Sequence, residues 1–209
     1  MEFMRARTKE QIEHRQADII TACDTLFEQG GYDNVNIKAI SEMTTITRSS
    51  IYTYYKTKDE IILDLLLNEL LKWQEEMFLW MQKTAPLDQA AFCKEFTAIL
   101  LKNDKMLQHY CLLYTFLEKN CRIENLVSFK QGAIPVMGTM VQLIQVNFPQ
   151  YAPEHAALIA EEIVSYILGL YPATHLTAKQ LEAITLSSTG YQAPDFATLC
   201  ESGITAFLM

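Results

Sequence analysis

Asn36 to Glu60 reads NIKAISEMTTITRSSIYTYYKTKDE, and this stretch decides how the whole chain is understood. Ile37 to Met43 has the pattern of a short helix, and Asn36 before it is a side chain that caps helix starts. Thr44-Thr45-Ile46 forms a turn, and another short helix is expected from about Thr47 to Tyr54. Polar and aromatic side chains crowded beside scattered cations suit a surface that meets phosphate oxygens and base edges. The pattern predicts a helix-turn-helix that reads DNA.

Upstream, a first helix is expected from Lys9 to Gln29, with Ile12, Ile19, Cys23, Leu26 and Phe27 on one face. Gly30-Gly31 ends it by supplying the left-handed conformation of a C-terminal cap. Downstream, Thr57-Lys58-Asp59-Glu60 has the spacing of a capping box and opens a helix to about Met81. At about 1.5 Å per residue that helix reaches roughly 36 Å, enough to join two domains.

Pro86 breaks the pattern, and further helices are expected near 88–102, 104–119, 124–148, 153–171, 178–188 and 195–208. Pro149, Pro153, Pro172 and Pro194 mark the later boundaries, and Pro135 predicts a kink inside its helix. Since no alternating strand pattern is present, the expected fold is all-α. Its division is a helix-turn-helix domain over 1–58 and a helical domain over 59–209.

The chain has 209 residues, half of them hydrophobic and a fifth charged, so a substantial core is available and wholesale disorder is excluded. The N-terminal MEFMRARTKEQIEHR lacks the continuous apolar stretch of a signal peptide. The strongest apolar run, Ile61 to Leu71, is interrupted by Asp64, Asn68 and Glu69 and is too short to span a bilayer. A cytoplasmic protein without a membrane partner is expected. Cys23, Cys93, Cys111, Cys121 and Cys200 are dispersed with no C-x-x-C pair, which reads as reduced, mostly buried thiols.

A net charge of −8 is unusual for a DNA reader, so the location of the charge matters. Between Asn36 and Lys58 the cations Lys38, Arg48, Lys56 and Lys58 face one acid, Glu42, a local balance of +3. Arg5, Arg7 and Lys9 add a basic arm.

The first 60 residues resemble the N-terminal domain of the TetR family of one-component transcriptional regulators. The resemblance rests on Leu26-Phe27 closing the first helix, the Gly31-Tyr32 turn and Ile40 central to the second helix. It also rests on Tyr52, Tyr54, Tyr55 and Lys58 in the family's Tyr-x-Tyr/His-Phe-x-x-Lys spacing. Thr44-Thr45 stands where the family has Ala-Gly, which implies strain at Thr45 or a turn of another shape. Ser49 stands where the family often has Gly.

The resemblance implies that the third helix lies in the major groove. Arg48 and Ser49 are then the base-edge readers, with Arg48 suited to bidentate contact with guanine. Thr47, Tyr52, Tyr54 and Lys58 hold the DNA backbone, as do Asn36 and Lys38 at the second helix. Tyr55 packs inward.

The later two thirds carry no catalytic constellation, and neither a metal nor another cofactor is expected. His14, His109, His155 and His175 lack metal-ligand spacing. Large, soft side chains are abundant instead. The resemblance implies a ligand cage between helices, with Trp80, Phe96, Tyr110, Tyr114, Phe129 and Met137 as candidate walls. Tyr110 and Tyr114 are placed to offer hydroxyls to a ligand's polar end.

The apolar helices 153–171 and 195–208 need a covering surface, and in the family such a pair forms a four-helix dimer interface. The expectation is a homodimeric regulator in the repressor role, binding a near-palindromic operator and a small effector. Two alternatives remain open: a helical ligand-carrying or enzymatic protein with a vestigial reader, and a helical protein-interaction module.

Overall fold

The computed structural model describes residues 8–83 and 85–209. Arg5 and Arg7 of the expected basic arm lie outside the described residues. The chain is 82% helical and has no strand among the described residues. Its contacts divide it into two compact units: residues up to Asn68 together with Leu113–Lys130, and Glu69–Leu112 together with Gln131–Met209. A cut after residue 58 is therefore not where the packing separates. A stretch from the middle of the chain belongs with the N-terminal helices.

In the first unit, α1 (Lys9–Asn34), α2 (Ile37–Met43), α3 (Arg48–Tyr54) and the start of α4 (Lys58–Lys83) follow in order. Thr8 caps α1 and forms a capping box with Gln11. The expected stop at the glycines is a kink: Gly30 has φ −163° and ψ 21°, and Gly31 has φ 68° and ψ −164°. A Cβ is disfavoured at Gly31's φ, which explains the residue type there. Ile19, Cys23, Phe27, Val35, Ile40, Ile46, Ile51 and Tyr55 form the core, none more than 6% exposed. At about 1.5–3 kcal/mol per fully buried large apolar side chain, this burial holds the short helices in place.

The second unit contains the rest of α4, α5 (Gln89–Lys102) and α6 (Asp104–Tyr110). The expected helix over 104–119 is not continuous. After α6 the backbone winds as a π-helix at Leu113–Leu117 and ends in the single turn α7 (Glu118–Asn120), both within the first unit. Then come α8 (Ile123–Asn147), α9 (Pro153–Thr174), α10 (Ala178–Ser187) and α11 (Phe196–Phe207). Pro135 lies inside α8 without ending it.

Pro172 likewise does not end α9, which continues to Thr174. A proline at 172 leaves the Leu168 carbonyl without its helical donor. The Cys111 thiol donates to that carbonyl at 3.6 Å.

α11 packs on α9 and α5. Trp80 stacks on Phe92 at 5.3 Å, Phe92 on Phe96 at 5.8 Å, and Phe148 meets Phe92 edge-on at 5.1 Å. By length and apolar composition α9 could cross a membrane. It packs eight buried side chains inward and carries Glu161 and Glu162 on exposed positions, the pattern of a core helix. α10 contributes no buried residue.

Candidate nucleic-acid interface

The seven-residue α3 owes its orientation to two inward side chains. Ile51 is fully buried, and Tyr55, which follows the helix, is 1% exposed. Tyr55 Oη donates to Asp64 Oδ2 at 2.8 Å, tying the end of α3 to α4. Burial raises the pKa of both groups, Tyr55 and Asp64. With residues 51 and 55 turned in, Arg48, Ser49, Tyr52, Thr53 and Lys56 all lie exposed, forming an outward stripe. Tyr52 is 46% exposed.

Thr47 is the N-cap of α3, outside the helix by one residue from the expected start. Its Oγ1 accepts from the Ser50 N–H at 3.3 Å and lies 3.0 Å from Ser49 Oγ. Asn36 caps α2, with Oδ1 accepting from the Ala39 N–H at 2.9 Å. Lys38 is exposed and pairs with Glu42 at 3.8 Å, a surface contact of small energy.

The turn between α2 and α3 is built on threonine. Thr44 has φ −119° and ψ 170°, its hydroxyl donates to Ile40 O at 3.0 Å and accepts from the Ile46 N–H at 3.2 Å. Ser188 is the one non-glycine residue with positive φ among the described residues, so Thr45 is not strained. Of the two possibilities left by the threonine pair, the turn takes the unstrained one.

Lys58 has closer partners than the sequence suggested. Its Nζ donates to Tyr32 O at 2.7 Å and sits 3.7 Å from the centre of the Tyr32 ring. A phosphate would have to compete with both. Tyr54 is half-buried, and its carbonyl accepts from Arg122 Nη2 at 3.2 Å. Glu60 completes only half of the expected capping box. Its N–H donates to Thr57 Oγ1 at 3.2 Å, whereas its carboxylate accepts from the Lys56 N–H at 2.6 Å rather than from Thr57.

The chain matches the family profile for bacterial regulatory proteins of the tetR family over residues 19–65. It matches the tetracyclin repressor-like C-terminal domain over residues 67–209, well over half its length. The chain belongs to the TetR family. It is similar to an uncharacterized HTH-type transcriptional regulator, YfiR, of Bacillus subtilis strain 168, at 29% identity over 89 residues. That match covers 39% of this chain, and the chain spans 43% of that relative's length.

Two solved structures share the fold. FadR of Thermus thermophilus, a TetR-family repressor in complex with lauroyl-CoA, aligns at TM-score 0.62 and 15% identity over 93% of each chain. The fatty acid degradation regulator FadR of Bacillus halodurans aligns at TM-score 0.57 and 11% identity, over 98% of this chain and 97% of that one.

The second unit of this TetR-family chain contains a small apolar cavity. Trp73, Leu100, Met106, Leu107, Tyr110, Val164, Ile167 and Leu168 line about 10 Å³, room for about one water. Trp73 Nε1 is buried with no hydrogen-bond partner among the described residues. In the same unit, His109 Nδ1 and Glu69 Oε2 lie 2.7 Å apart, with His109 fully buried.

Of the six candidate effector residues, Tyr110 alone lines this cavity. Trp80 and Phe96 are committed to the aromatic stack, and Met137 is half-buried on α8. Phe129, buried, and Tyr114, 63% exposed, belong to the first unit. Tyr114 lies in the π-helix at Leu113–Leu117 and Tyr110 at the end of α6. Trp73 lines the cavity and is not among the candidates that the sequence suggested.

Proposed function

We propose that this regulator is a repressor that binds a near-palindromic operator as a homodimer and is released by a small apolar or amphipathic effector. The observation that carries the reading is the outward stripe of α3, capped at Thr47 and anchored by Ile51 and Tyr55. Arg48 and Ser49 read base edges. Asn36, Lys38, Thr47, Tyr52, Tyr54 and Lys58 hold the backbone, joined by Thr53 and Lys56.

The dimer surface is the outer face of α9 and α11. Ile159, Ile163, Ile167, Phe196, Ile204 and Leu208 are already buried within one chain. What stays exposed on these helices includes Leu158, the small residues Ser165, Gly169, Ser202 and Ala206, which permit close helix approach, and Glu161, Glu162 and Thr198 at their margins. The effector enters by displacing the walls of the Trp73 cavity, since the room now present holds no molecule larger than water. A carbonyl or another acceptor would satisfy Trp73 Nε1. The acyl-CoA bound by the Thermus thermophilus FadR makes fatty acyl thioesters a reasonable first panel.

The test is light scattering of the protein with a duplex enriched from a random pool, followed by titration with acyl-CoAs of increasing chain length. Two chains per duplex, and release by a subset of chain lengths, support the reading. A monomer on DNA removes the dimer, and release by none of the panel removes the acyl class. A vestigial reader is disfavoured by the intact caps and unstrained turn.

A further inference from the structure

We propose that Arg122, far outside the helix-turn-helix, is a positioning residue that fixes the exit of the recognition helix. This rests on the reading of α3 as that helix. A helix leaves its last carbonyls without intrahelical donors, and its C-terminus favours a cation. Arg122 supplies both from 68 positions along the chain: its Nη2 donates to the Tyr54 carbonyl at the end of α3 at 3.2 Å.

The same guanidinium grips Glu60 on two sides, Nε to Oε1 at 2.6 Å and Nη2 to Oε2 at 2.9 Å. The Arg122 N–H adds a bond to Oε1 at 3.3 Å, and the Lys56 N–H donates to Oε2 at 2.6 Å. Glu60 is fully buried, whereas the Arg122 side chain is 42% exposed. A buried carboxylate held by a bidentate fork has one well-defined geometry, because losing the fork strands its charge.

The link between α3 and α4, from Tyr55 to Thr57, is thereby closed into a ring whose clasp is Arg122. Two further contacts brace it. Phe116 lies 5.0 Å from the Tyr32 ring, and Thr57 Oγ1 donates to Asn120 O at 3.5 Å. The clasp sits immediately before α8, and residues 131–147 of that helix belong to the second unit.

The experiment compares wild type with R122Q and R122K on the duplex that wild type enriches from a random pool, across a series of salt concentrations. Amide hydrogen exchange is measured on the free proteins. R122Q is expected to bind roughly tenfold or more weakly, with the wild-type salt slope, and R122K to recover part of the loss. Exchange should quicken at residues 51–57 and stay unchanged at 92–100.

Wild-type affinity in R122Q overturns the proposal. So does a salt slope shallower by about one contact with unchanged exchange, which would make Arg122 a phosphate ligand. If R122Q exchanges everywhere, R122K decides by the same two readouts. Should wild type enrich no duplex, the recognition-helix reading fails, and exchange at 51–57 still decides whether Arg122 holds the exit.

Discussion

Gly203→Ala probes the packing of α11 on α9, the pair assigned to the dimer surface. A Cβ at position 203 would stand 2.3 Å from Tyr166 Cε1 and 2.5 Å from Cζ. Carbon atoms prefer about 3.5–4.0 Å, so the ring must move by more than about 1 Å. That motion breaks the bond from Tyr166 Oη to Leu199 O, now 2.8 Å, and the edge contact with Phe207, now 5.6 Å between centroids. The hydrogen bond is worth about 1 kcal/mol and the ring pair about 0.5–1.5 kcal/mol. Alanine returns about 1 kcal/mol of helix propensity, and crowding in a packed core costs about 1–3 kcal/mol. The net expectation is a loss of about 1.5–4.5 kcal/mol, with a fall in Tm of several degrees. Thermal unfolding measures it, and the cycle with Tyr166→Leu assigns it: in that background Gly203→Ala should be neutral or stabilising. An equal cost in both backgrounds would refute the steric origin.

Other expectations follow from single observations. Burial alone would raise the Glu60 pKa, but the hydrogen bonds from Arg122 and the Lys56 N–H outweigh it and hold the carboxyl below its ordinary value of 4.5. Its contribution is therefore complete above that value and lost as pH falls through the depressed one, so wild type should lose Tm more steeply than Glu60→Gln between about pH 5 and 3. Parallel curves would contradict this. Burial pushes Cys23 and Cys121 up to about 12 and Cys111 and Cys200 up to about 11. Disulfide reagents at pH 8 should modify these thiols slowly in the folded protein and fully in urea. Rapid folded-state labelling of any of the four would show an activated thiol instead. Because Thr45 avoids positive φ, Thr45→Gly should destabilise by about 0.5–1 kcal/mol, and a stabilised variant in urea denaturation would show hidden strain.

The reading head was legible in the sequence because its determinants are local. Asn36 caps its helix within three residues of itself and Tyr55 turns inward as its spacing predicts, whereas Thr47 stands one residue outside α3 as its cap. The same periodicity, pursued outward, would have added Thr53 and Lys56. What escaped depends on partners distant in the chain. Nothing about Arg122 in isolation points to Glu60, and nothing about Lys58 points to the Tyr32 ring. Which large side chains line a cavity depends on distant partners as well. Aromatic content cannot distinguish a stack such as Trp80–Phe92–Phe96 from a cavity lining. Pro172 was read as a stop, but the Cys111 thiol takes the carbonyl it orphans.

Whether α3 reads bases is tested most directly by fluorescence anisotropy of wild type, Arg48→Ala and Lys38→Ala on the enriched duplex and on copies with single guanines replaced. Arg48→Ala should lose about 1–3 kcal/mol on the enriched duplex and cease to discriminate at one guanine. Lys38→Ala should weaken every duplex alike and reduce the salt slope by about one. Arg48→Ala binding with wild-type affinity and intact discrimination would mean that another surface reads the operator.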